Sequence, residues 1–183
     1  MKKRIIIALA FLNTLGILAL AFVHWGWIFM DRELSVEAKK FKSDLLEALD
    51  NGTRVEIVEH AWRWDSEQST EPPYYEYKRV RLTGEQQNEF RKVFKEMPRK
   101  PQTDFLPCLF EPHHTIEIFD QHEHMQVIRI CFQCGDTSWG DTETITPASF
   151  QSVFFKFIKP LGFTAERDWG ALARERRGDL KTD

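Results

Sequence analysis

Cysteine is scarce: three of the 183 residues, at positions 108, 131 and 134. None lies near the apolar N-terminus, which excludes lipoprotein processing, and an odd count leaves at least one thiol outside any disulfide. The nine glycines form no phosphate-cradling loop, and neither a nucleophile elbow nor a His-Glu-x-x-His zinc motif occurs. Carboxylates are plentiful, but no spacing singles out an acid-base pair. Basic residues are not in excess: 25 Lys and Arg stand against 28 Asp and Glu. Setting aside Lys2, Lys3 and Arg4 leaves 22 against 28, a net charge of −6 over residues 31–183. That excludes the electrostatic footprint of a nucleic-acid binder and argues chiefly for solubility. No internal repeat or low-complexity segment is present.

What the chain does have is one long uncharged run. Lys2, Lys3 and Arg4 precede Ile5–Met30, 26 residues without a formal charge. As a helix it would extend about 39 Å, enough to cross a bilayer with some tilt. The basic cluster predicts a cytoplasmic N-terminus, with everything after Met30 outside the cytoplasm. Trp25 and Trp27 suit the outer interface, where amphipathic indoles settle. A cleaved signal peptide is the competing reading, since Ala19-Leu20-Ala21 fits its grammar. Against it, the apolar run continues for nine residues past Ala21 and no polar stretch follows. A buried cytosolic helix is the third reading. The expected organisation is an anchor over residues 1–30 and a single extracytoplasmic domain over 31–183 with a charged C-terminal tail. At 153 residues that domain can bury a proper core.

Within it, Ser35 is positioned to cap a helix running to about Asp50. Ala38, Phe41, Leu45, Leu46 and Leu49 recur at helical spacing, and Asn51-Gly52 ends it. Asn51-Gly52-Thr53 is also a glycosylation sequon. "TRVEIVEHAW" and "YYEYKRVRL" read as strands joined by a turn-rich connection. Thr83 caps a second helix bearing Phe90, Val93, Phe94 and Met97. "HTIEIFDQHEHMQVIRICF" reads as a hairpin with its turn near Asp120–Glu123, and "GDTSWGDTE" as a loop or short edge strand. Thr146-Pro147 is expected to open a third helix carrying Phe150, Val153, Phe154, Phe157 and Ile158. A short helix is expected around Trp169–Arg177. The order predicts an α+β fold: an antiparallel sheet of four to five strands with about three helices on one face.

The hairpin gathers the chemistry. If paired positions sum to about 244–246, His114, Ile116, Ile118, Ile128, Ile130 and Phe132 share the buried face. His113, Thr115, Glu117, Val127, Arg129 and Cys131 then share the other. Cys108, His113, Cys131 and Cys134 would converge, with His114 replacing His113 if the register slips by one. Three readings compete. A disulfide from Cys108 to Cys131 or Cys134 suits an oxidising compartment and would stabilise by about 3 kcal/mol in the entropic model. A three-thiolate, one-imidazole zinc site has acceptable spacing and no open position, so zinc there would be structural. A thiol–disulfide exchanger on Cys131 and Cys134 lacks the helix N-terminus that usually lowers a reactive thiol's pKa.

Weaker signals are solvated or structural by default. His122 and His124 flank Glu123 at the hairpin tip, a pair that binds Cu²⁺ or Zn²⁺ weakly. "PPYY" at 72–75 fits a WW ligand, but WW domains are intracellular and this stretch is expected outside. Trp62, Trp64, Tyr74, Tyr75 and Tyr77 would line a groove for a sugar or peptide if they are not cross-strand packing.

The stretch "CLFEPHHTIEIF" with "IRICFQC", residues 108–134, resembles a group of uncharacterised bacterial secreted or membrane-anchored proteins. These share a Cys followed closely by Pro and His, then an apolar strand ending in Cys-Phe-x-Cys. The resemblance implies that the Cys/His cluster is a feature of the group and brings no activity with it. The expectation is a membrane-anchored extracytoplasmic domain, binding or structural rather than catalytic. A structural zinc domain and a periplasmic thiol–disulfide oxidoreductase are the alternatives, and the partner is a protein or small molecule of unread identity.

Overall fold

The computed structural model describes residues 2–63, 65, 75–103 and 107–179, with side chains from residue 16 onward apart from 19, 27, 29, 31 and 176–179. Helix α1 (Lys2–Asn51) is a single element, whereas two were expected. No proline or glycine lies between Met30 and Asn51, so nothing stops the apolar helix before the amphipathic one, and Ser35 sits mid-helix. Among the described residues no helix is long and apolar enough to cross a membrane. The side chains of the first eleven residues of the Ile5–Met30 run, 5–15, lie outside the described residues.

The sheet has six strands, all antiparallel: β1 (Arg54–His60), β2 (Glu76–Arg81), β3 (His114–Phe119), β4 (Met125–Ile130), β5 (Thr137–Trp139) and β6 (Thr142–Glu143). Their order is β2-β1-β3-β4-β5-β6. The fold class is α+β as expected, with more strands than expected because "TSWGDTE" folds back on itself. Gly140, at φ 61°, supplies the positive φ that a two-residue hairpin turn needs at its first central position, so Trp139 pairs with Thr142. The main hairpin has the expected register, His114↔Ile130 through Phe119↔Met125. Its turn is held by the Asp120 carboxylate, which accepts from the backbone N–H groups of His122 and His124 at 2.7 and 3.0 Å.

Helix α2 (Gly84–Glu96) starts at a reciprocal cap between Thr83 and Gln86. Helix α3 (Phe150–Ile158) begins three residues later than Thr146-Pro147 predicts. Pro147 instead bridges to Pro101, and Gln102 N–H donates to Thr146 O, so this backbone is taken up by an extended pairing. A 3-10 turn (Lys159–Leu161) ends at Gly162, whose φ of 84° is left-handed. Helix α4 (Trp169–Asp179) closes the described chain.

The core lies between one face of the sheet and the C-terminal half of α1 with α2 and α3. Val55, Ile57, Ile116, Ile118, Ile128 and Ile130 come from the sheet, all at most 1% exposed. They meet Phe41, Phe90, Phe94, Phe150 and Phe154, whose rings pack edge-to-face or offset: Phe41–Phe150 at 4.9 Å, Phe90–Phe94 at 4.8 Å. Lys42 crosses from α1 to close α2, its Nζ donating to the carbonyls of Lys95, at 2.9 Å, and Met97. These are C-terminal helix carbonyls with no partner inside the helix. The opposite sheet face is polar. There Arg79 bridges Glu56, Glu76 and Glu117, and Arg54 pairs with Glu56 and Glu123.

Candidate functional site

The three cysteines come to one region in a different pairing from the expected staple. Residues 131–136 form a tight turn in which Gly135 N–H donates to Cys131 O and Cys131 N–H to Asp136 O, both at 3.0 Å. The turn brings the Cα atoms of Cys131 and Cys134 to 5.7 Å, and the two form a disulfide. Both are buried, at 2% and 0% exposure, whereas Cys108 is exposed and free. Its neighbour contacts the pair all the same, with Leu109 O lying 3.6 Å from Cys134 Sγ. The closed loop spans four residues rather than about two dozen, so the entropic stabilisation falls from about 3 to about 2 kcal/mol. Burial, together with the carboxylates of Asp136 and Glu111, pushes the Cys108 thiol above its ordinary pKa.

Neither histidine ring turns toward these sulfurs. Strand alternation at the start of β3 sends them to opposite faces. His113 Nε2 lies 3.0 Å from Asp65 Oδ1, and its ring stacks on Trp169 at 4.2 Å. His114 faces inward against Phe132 at 4.9 Å, with Trp169 at 5.9 Å. Among the described residues no group of three or more His, Cys, Asp or Glu side chains is arranged to hold a metal ion. Cys108, His113, Cys131 and Cys134 do not form such a group among the described residues, nor does the set with His114 in place of His113.

Around His114 the structure assembles a cluster that hydropathy alone hid. Glu59 reads as the charged member of an alternating strand, yet it sits on the core face with Val55 and Ile57 and is 0% exposed. Its carboxylate accepts from Arg167, Nε at 2.9 Å and Nη2 at 3.2 Å, and from Thr164 Oγ1 at 3.3 Å. His114 Nε2 stands 3.9 Å from Glu59 Oε1 and has no hydrogen-bond partner. Burial pushes His114 down to about 3, aided by His113 and His60 nearby, and burial raises Glu59 against the pull of Arg167. Burial lowers the pKa of His60 as well, and its two nitrogens lie 2.8 Å from Ala61 O and Thr115 Oγ1. The only sequence sign of this cluster was "ERDWG", read as charged tail. Chemically it is a tie: Arg167 and Thr164 fasten the segment before α4 to the end of β1, and Trp169 caps two histidines. None of the clefts described below is lined by Glu59, His114 or Arg167.

The remaining candidates divide. His122 and His124 stand at the exposed tip with ring centroids 5.9 Å apart. Of the aromatic set, Trp64, Tyr74 and the Pro72–Pro73 pair lie outside the described residues. Tyr77 stacks on Trp169 at 6.1 Å, and Trp62 lines a 310 Å³ cleft with Phe110, Arg129 and Asp141. A 610 Å³ cleft lies between α1 and the β5–β6 hairpin, and a 660 Å³ cleft between α2 and α3. Comparison with models of known protein families, with curated proteins and with solved structures finds no match to this chain.

Proposed function

We propose that the chain is a membrane-anchored protein whose α+β body stands outside the cytoplasm as a binding or structural module. One observation carries the reading. Ahead of the body, α1 exposes Ile17, Leu18, Leu20, Phe22, Val23 and Ile28 at 53–83% of their surface. At about 100° per residue these positions point to every side of the helix. Apolar side chains exposed all round a helix have no favourable partner in water, and a lipid environment removes the cost. The basic cluster at residues 2–4 supports an inward N-terminus. Alkaline carbonate extraction of membranes tests attachment, and release into the supernatant ends the proposal. A C-terminal reporter active only outside the cytoplasm tests the side, and an inactive reporter overturns the topology.

A second reading rests on the disulfide between Cys131 and Cys134: a thiol–disulfide oxidoreductase using that pair. The burial of both sulfurs and the turn, rather than helix, that follows them weigh against it. Insulin reduction by the full chain, lost in Cys131→Ser, would establish it, and no turnover in the parent protein would remove it. For zinc, metal analysis of purified protein reading one equivalent per chain would reinstate the four-ligand site.

A further inference from the structure

The helix layer carries a trough that the core does not fill. Val93 and Met97 of the α2 segment and Val153, Phe157 and Leu161 of the α3 segment form its floor. Only Met97 is fully buried, while the other four pack their inner sides on the core and leave the rest facing the trough. On α2 the lining positions 85, 89, 93, 96 and 97 follow one helical stripe, about 18 Å long. On α3 the positions 153, 156, 157, 160 and 161 do the same over about 12 Å. Two stripes flanking an apolar floor of 660 Å³ are the shape that receives another helix of two to three turns.

The rims decide which helix. Along the α2 side stand Glu85, Glu89 and Glu96, and none of the three takes part in an ion pair among the described residues. Glu85 and Glu89 are four apart on one face, an arrangement that disfavours an isolated helix. Among the described residues the opposite rim carries one cation, Lys156. We propose that this trough docks an amphipathic helical segment of a partner protein, its apolar stripe in the floor and lysines or arginines along the flank that meets Glu85, Glu89 and Glu96. The proposal deepens the binding role above and does not depend on membrane attachment, so the extraction experiment and the one below fail separately.

The test uses two fluorescent 16-residue peptides and the full chain, in plain buffer if the extraction experiment releases it and otherwise in nanodiscs of zwitterionic lipid with empty nanodiscs subtracted. Both carry leucines at positions i, i+3, i+4, i+7 and i+11; one bears lysines along a flank and the other glutamates. The lysine peptide is expected to bind about tenfold tighter at low salt, the worth of three exposed ion pairs, with the margin shrinking at high ionic strength. The E85K/E89K/E96K variant changes only exposed side chains, so it folds, and it should invert the preference. Equal affinity for both peptides overturns the proposal, as does a preference the variant leaves unchanged. A photo-cross-linking lysine peptide should attach to residues 85–97 or 153–161, and attachment elsewhere on the body also refutes it.

Discussion

Replacing His114 with leucine should flatten the acid limb of the stability curve. In the native protein the ring is 1% exposed, packed on Phe132, Phe163 and Trp169, and its pKa is pushed down to about 3. In the unfolded chain it returns to about 6.5. A depressed folded pKa gives stability that is fully present above 6.5 and is lost as pH falls toward 3. Across that window the unfolded state binds one proton more, a slope of up to about 1.4 kcal/mol per pH unit. Between pH 6.5 and 4.5 this amounts to about 2.3 kcal/mol, because the unfolded-state ring is only half protonated at the upper end. His60 is lowered too and adds in the same sense. Glu59 acts oppositely: its raised pKa favours folding at acid pH and opposes it above. Urea titrations of the full chain from pH 7 to 4.5 should therefore show a slope in the parent that drops by nearly one proton in H114L. Leucine loses the ring's hydrogen bond with the Thr164 backbone, so H114L is less stable at pH 7; the slope, not the absolute value, is the readout. An unchanged slope would falsify the assignment of a buried neutral imidazole at this position.

Gly52→Ala should destabilise by about 1–3 kcal/mol, because a Cβ there would stand 2.7 Å from Ile118 Cγ2 and 2.9 Å from Ala48 O, and neither can yield freely; an unchanged melting temperature would mean the helix-to-strand turn has slack. Arg79→Ala strands Glu56 and Glu117, directly opposed across β1 and β3, and should cost about 1–2 kcal/mol, with Arg79→Lys recovering part; an alanine variant as stable as the parent would show that Glu56 and Glu117 tolerate each other unbridged. Lys42→Met keeps the apolar stem but releases the Lys95 and Met97 carbonyls, and a loss of about 1 kcal/mol is expected in thermal unfolding. Without reductant, maleimide should label one cysteine per chain, Cys108, at a rate still climbing above pH 9 because its thiol is pushed up; mass mapping that finds label on Cys131 or Cys134 would contradict the pairing.

The parts of the fold legible in the sequence are those governed by short-range periodicity. The β3–β4 register follows from alternation of isoleucines, since a slip of one would carry Ile116, Ile118, Ile128 and Ile130 to the polar face. The Phe90 and Phe154 stripes follow from helical spacing. What escaped depends on where distant segments lie. Pro147 looks like a helix opener until Pro101 is beside it, and Glu59 looks like a solvated strand residue until Arg167 arrives from 108 positions later. Cysteine pairing escaped for the same reason: spacing permits every combination, and the turn at residues 131–136 decides.

The same distinction bears on the anchor. Phe41, Leu45 and Ala48 of α1 are core residues, in the helix that exposes Leu20, Phe22 and Val23 further back. Ala38, the first buried residue among those described, is eight positions past Met30, about 12 Å along the axis, with no glycine or proline between. A flexible tether would need a break in that interval. Without one, the N-terminal segment and the packing of Phe41 on Phe150 and Trp139 belong to one rod. If that rod is the anchor, inserting Gly-Gly-Ser-Gly after Glu33 should leave the body's melting temperature unchanged, because every buried α1 side chain among the described residues lies beyond it. Anisotropy of a dye on Cys108 in nanodiscs should fall as the body gains independent motion. A fall in melting temperature instead would mean that the segment before Ala38 contributes to the body's own stability.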